Sequence, residues 1–234
     1  MRRTRLAAAV LSAVALTAPG VPSALAAPAS AAPAADSAHA VRLPFVAVVT
    51  PVPRTYRAKM IGVSWKPGCP VAIDDLRIVT MTYRGFDGRV HLGRLMVNRD
   101  VARSVVRAFR TMYAAGFPIR RMESIEAYGA SDDASMAADN TSAFNCRPIT
   151  GTTDRFSIHS YGRAIDINTV ENPYVKGTTV LPPAGRDFVD RTDVRPGMIV
   201  KGDVTYDAWT AEGFGWGGDY VSLKDYQHFE FPPS

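Results

Sequence analysis

Nowhere in the sequence does S-x-x-K, G-x-S-x-G or H-E-x-x-H occur. A serine penicillin-binding mechanism therefore lacks its nucleophile pair, and the α/β-hydrolase and zincin signatures are missing as well. Cysteine is nearly absent, with only Cys69 and Cys146. No internal repeat is found, and after about residue 16 no run is apolar enough to span a bilayer. Charge of one sign is also scarce. The formal +5 includes Arg2, Arg3 and Arg5 and no acid from residues 1–26, which leaves 24 basic against 22 acidic side chains, a net of +2. That balance gives no support for a nucleic-acid or anionic-membrane partner, so neither is expected.

What is present begins at the N-terminus. "MRRTRLAAAVLSAVALTAPGVPSALA" has an arginine-bearing start, a short apolar run from Leu6 and a small-x-small end at Ala24-Leu25-Ala26. This reads as a secretory signal peptide, residues 1–26, cleaved after Ala26. Residues 27–45 open Ala/Pro/Ser-rich without apolar periodicity and are expected to be a disordered tether. Residues 46–234 remain, enough for one domain with one core. The product is expected outside the cytoplasm, secreted or wall-associated, and monomeric. In that oxidising compartment an even cysteine count is most simply a Cys69–Cys146 disulfide. The rival is a cysteine nucleophile beside a histidine.

Residues 76–98, "LRIVTMTYRGFDGRVHLGRLMVN", predict a hairpin with a tight turn at Asp87-Gly88. Val101, Val105, Phe109 and Met112 recur at helical spacing and stop at Gly116. "IRRMESIEAY" (119–128) predicts a strand. Residues 129–156, rich in Ser, Asp, Asn and Thr, predict a long ordered loop that shapes a site. A short helix is expected from about Asp203 to Glu212. "AIDIN" (164–168) and "HFEF" (228–231) alternate apolar and polar residues like half-buried strands. The fold class that fits is α+β: a small antiparallel sheet with helices packed on one side and a single polar site at the sheet edge.

The alternation places Ile165 and Ile167 toward the core and turns Asp166 to an open face. His159 precedes that strand, and the turn at Ser160-Tyr161-Gly162 can return its ring to the carboxylate. His228 shares a strand face with Glu230. Two imidazoles and a carboxylate form a catalytic zinc set, with a fourth position for water. Asp225, three residues before His228, can serve as a proton carrier. Glu230 reads either as a partner of a ligand histidine or as a solvated strand residue, and is the next candidate base. Trp216 reads as core or as a substrate platform, while His91 and His39 read as structural or solvent-facing.

Ser157, His159, Gly162, Ala164 and Asp166 spell S-x-H-x-x-G-x-A-x-D, and Asp225 and His228 spell D-x-x-H. From about residue 65 onward the chain thereby resembles the zinc D-Ala-D-Ala carboxypeptidase family. That family includes the vancomycin-resistance D,D-dipeptidases and the L-alanyl-D-glutamate endopeptidases. Many of its carboxypeptidases and dipeptidases carry glutamate at the base position. The aspartate here, with "GFGWGGDY" (213–220) and "DYQHFE", is more similar to the endopeptidase-like branch. The resemblance implies one Zn2+ held by His159, Asp166 and His228, with Asp225 as general base. It also implies an arginine that polarises the scissile carbonyl; Arg147 is preferred over Arg120 and Arg121. The implied activity is hydrolysis of peptidoglycan stem peptides. A non-catalytic wall-binding domain that keeps the fold is the other reading, one with no use for Asp225.

Overall fold

A computed structural model describes residues 43–149 and 152–232, all within one compact unit. The expected signal peptide, most of the tether and His39 lie outside the described residues.

The chain opens with strand β1 (Ala47–Pro51) and helix α1 (Arg54–Met60). The hairpin follows as β2 (Leu76–Arg84) and β3 (Val90–Asn98), in full register from Leu76↔Asn98 to Arg84↔Val90. Helix α2 (Ala102–Ala115) ends at Gly116, which takes the left-handed conformation that the periodicity requires there. A helix not foreseen, α3 (Asp132–Ala137), interrupts the expected loop; Ser131 caps it, its Oγ accepting from Ala134 N at 3.2 Å. The chain continues through β4 (Ala164–Asp166), β5 (Tyr174–Lys176), β6 (Thr179–Leu181) and α4 (Val204–Thr210). It closes with β7 (Gly215–Trp216), β8 (Lys224–Asp225) and β9 (His228–Glu230).

The strands form three antiparallel sheets, β1-β2-β3, β4-β9-β7 and β6-β5-β8, rather than the single sheet expected. After β3 no described strand exceeds three residues, too short to extend the long hairpin, so these strands pair among themselves. Residues 119–128 are not a strand. Ile119, Met122 and Ile125 are all buried, a spacing of three that a period-two strand cannot bury on one face. Their backbone pairs piecemeal, Ile119 N with Arg84 O and Arg94 N with Met122 O, before a 3-10 turn at Ile125–Tyr128.

One core joins the hairpin, α2, α4 and the site-bearing sheet through Val79, Leu95, Phe109, Ile165, Ile167, Trp209 and Phe229. Trp209 is fully buried, edge-on to Phe109 at 5.3 Å and stacked on Phe229 at 5.3 Å. Losing such an aromatic from a core costs about 3–5 kcal/mol, so β4 and β9 are anchored through residues adjacent to the polar ones they carry.

Candidate metal centre

The two strands that bear the polar cluster are in direct register, Asp166↔His228 and Ala164↔Glu230. Residues opposite one another across an antiparallel pair project to the same face, so the pairing alone brings Asp166 and His228 together. His159 arrives from the 3-10 turn Ile158–Tyr161, which Ser157 caps by accepting from His159 N at 3.3 Å. Gly162 ends that turn at φ +69°, and its carbonyl accepts from Asn98 N at 2.8 Å. A Cβ there would sit 2.7 Å from Asn98 N, so both conformation and space require glycine.

Three ligand-type atoms converge. His159 Nε2 lies 3.1 Å from Asp166 Oδ2 and 3.2 Å from His228 Nδ1, and His228 Nδ1 lies 3.0 Å from Asp166 Oδ1. All three residues are buried. Asp166 therefore does not face an open surface as the alternation implied. Ala164, Asp166 and Asn168 are buried like the isoleucines between them, and Ser142 pairs its backbone with Asp166 on the far side of β4.

Both rings have their outer nitrogen engaged. Ala143 O, which can only accept, lies 2.5 Å from His159 Nδ1, so that nitrogen carries the proton and Nε2 offers a lone pair. Glu230 Oε2 lies 3.3 Å from His228 Nε2 and assigns that ring in the same sense. Two lone pairs and a carboxylate then face one another with no donor among them, an arrangement a divalent cation resolves. Without a cation, a proton must do so. Burial alone would lower His228, but its hydrogen bonds to Asp166 and Glu230 push it up to about 10. Burial likewise opposes ionisation of Asp166, yet the two histidines hold its carboxyl below the ordinary carboxylate range. The donor set fits zinc with three protein ligands.

Asp225 sits on β8, whose pairing with Tyr174 of β5 holds it beside the cluster. The residue keeps some surface, but its Oδ1 is shielded and has no partner among the described residues. Burial pushes its carboxyl up to about 6; the charge on His228 pulls it back and that on Asp166 adds to the rise. Gly217 packs so closely that a Cβ would meet Asp225 O at 2.5 Å.

The cluster opens into a cleft of about 580 Å³, lined among others by Asp132, Arg147, Arg155, Lys176, Tyr220 and Asp225. Of the three arginines considered, only Arg147 lines it. Its Nη2 pairs with Asp132 Oδ2 at 2.6 Å, and its buried Nε has no partner among the described residues. Arg120 lies over the Phe86 ring at 3.9 Å and pairs with Asp139 and Glu171; Arg121 pairs with Glu123 at 3.8 Å. Asp132 and Tyr220 were not foreseen. The only signal for Asp132 was the cap sequence Ser131-Asp132-Asp133, and Tyr220 lay unremarked within a quoted motif.

Trp216 belongs to the core, 5% exposed and donating from Nε1 to Tyr226 O at 2.8 Å. His91 pairs with Asp87 in the hairpin, away from the cleft. Cys69 and Cys146 are bridged, with Cα atoms 6.0 Å apart, which removes the cysteine-nucleophile reading. The bridge is compatible with an extracellular setting.

Residues 150–231 match the D-alanyl-D-alanine carboxypeptidase family. The matched span contains His159, Asp166, Asp225 and His228, and Arg147 lies just upstream of it. This is a zinc-dependent peptidase family, and match and cluster together support a metallopeptidase. No solved structure matches the chain. Among the described residues no helix is long and apolar enough to cross a membrane.

Proposed function

We propose that this protein is an exported zinc peptidase that hydrolyses peptidoglycan stem peptides, with residues 46–234 as its catalytic domain. The bond would be of the D-Ala-D-Ala carboxypeptidase or the L-Ala-D-Glu endopeptidase type, and Asp225 in place of glutamate favours the latter. The observation that carries this reading is Asp225 itself: a carboxylate with one shielded oxygen, Oδ1, that has no hydrogen-bond partner among the described residues, next to a three-residue ligand set in a cleft large enough for a peptide. A domain that only binds wall peptides has no need of such a group.

His159, Asp166 and His228 would hold the ion where β4 meets β9. Zinc at such a site supplies Lewis acidity, lowering the pKa of a coordinated water and polarising a carbonyl. Asp225 accepts the proton of the attacking water as the new C–O bond forms, and returns it to the departing amine as the C–N bond breaks, ending ionised as it began. Its raised pKa matches both halves of that exchange. Arg147, held at its tip by Asp132 and with Nε still unpartnered, is the cation that would face the developing oxyanion.

Incubating purified protein with cell-wall sacculi and mass-analysing the released peptides tests the reading and names the bond. Release that stops on chelation and resumes with zinc is the expected result. Wall binding without any new peptide terminus would instead establish the non-catalytic domain.

A further inference from the structure

The two histidines are braced from behind by different means. His159 leans on a main-chain oxygen, Ala143 O, which no side-chain substitution removes. His228 leans on the Glu230 side chain, and Glu230 leans in turn on Tyr220, whose hydroxyl donates to Oε1 at 2.7 Å. A glutamate on its own has three torsions and would spend much of its time away from the imidazole. Tyr220 has a rigid ring on a fixed turn: it follows the 3-10 segment Gly217–Asp219, and Lys224 Nζ donates to both Gly218 O (3.0 Å) and Tyr220 O (2.7 Å). Glu230 meanwhile sits on the central strand β9, its backbone paired on both sides, with Ala164 of β4 and Gly215 of β7. Strand and turn thus fix the two ends of a hydroxyl–carboxylate–imidazole chain.

We infer that Tyr220 is a positioning residue for the metal centre: acting through Glu230, it holds the His228 ring with Nδ1 turned toward Asp166 and His159, and so sets how tightly the ion is retained. This rests on the zinc site proposed above, but not on peptide hydrolysis.

The test is zinc affinity by competition with a chromophoric chelator, for the full chain and for Tyr220→Phe, Glu230→Gln and the double variant. Melting curves of the metal-free proteins establish that each folds. Glu230→Gln should weaken zinc binding by about tenfold to a hundredfold, the usual effect of losing a partner behind a ligand histidine. Tyr220→Phe should weaken it severalfold, and the double variant should bind no worse than Glu230→Gln, as expected of a hydroxyl that acts through the Glu230 carboxylate to which it donates. With Co2+ in place of zinc, the visible bands should shift in the same variants. Wild-type affinity in Tyr220→Phe overturns the inference, and so do losses that simply add. A wild-type protein that binds no zinc overturns both the chain and the metal centre. One that binds zinc tightly yet releases no peptide overturns only the peptidase reading.

Discussion

His159 Nε2 and His228 Nδ1 lie 3.2 Å apart in a buried site, each ring with its other nitrogen already engaged. Two lone pairs at that distance repel unless a proton or a cation stands between them. His228→Ala should therefore lose the zinc and the activity together, by elemental analysis and peptide turnover. Chelation of the wild type should lower its melting temperature, and restored zinc should recover it. Unchanged melting with full zinc occupancy in His228→Ala would remove that residue from the ligand set.

Asp225→Asn separates holding the metal from using it. The amide keeps the shape but accepts no proton at neutral pH. Zinc content and fold should persist while turnover falls roughly 10²–10⁴-fold, the usual worth of a positioned base. In the wild type, activity should fall on acidification, as the Asp225 carboxyl, raised by burial above the ordinary carboxylate range, takes up a proton and can no longer accept one from water. Near-wild-type turnover in Asp225→Asn would strike it from the mechanism.

Arg147→Ala should keep its metal and lose about 10²–10³-fold in kcat if the guanidinium faces the oxyanion. Arg147→Lys should recover little, because a point charge cannot both pair with Asp132 and present a second N–H edge. A loss confined to KM would assign Arg147 to substrate binding.

Cys69 and Cys146 close a loop with a sequence separation of 77. In the chain-entropy model a bridge of that span is worth about 4 kcal/mol. The Cys69→Ser/Cys146→Ser variant should melt well below the wild type while the metal-free ligand residues remain intact. Equal melting temperatures would show that the bridge adds nothing.

Glu171 is a buried acid the chemistry does not use, close to Asp139 and receiving Arg120 Nη2 at 3.1 Å. Burial, reinforced by Asp139, pushes it up to about 7. A carboxyl raised on folding contributes stability below its unfolded pKa and loses that contribution as pH climbs toward the folded value. Glu171→Gln should therefore gain on the wild type between pH 5 and pH 8, by roughly 2–4 °C in melting temperature per kcal/mol recovered. A gap that does not change with pH would show that Glu171 is ionised throughout.

Local chemistry was written in the sequence. Alternation marked β4 and β9, and helical spacing with Gly116 delimited α2, because apolar period and backbone freedom act within a few residues. The short motifs around His159, Asp166 and His228 carried the ligand identities for the same reason: each needs only a turn or a strand to aim it. What tertiary structure alone decided was everything set by long-range pairing. The Asp166↔His228 register, across 62 positions, places the ligands side by side. The packing of distant segments buries Ala164, Asp166 and Asn168, which alternation had turned outward. Residues 119–128, strand-like in composition, gave up that conformation because the hairpin and Asn140 offered their backbone groups separate partners. Asp132 became the partner of Arg147, and Tyr220 the support of Glu230, through contacts that no local pattern encodes, since a hydrogen bond depends on where two segments meet and not on how far apart they lie in the chain.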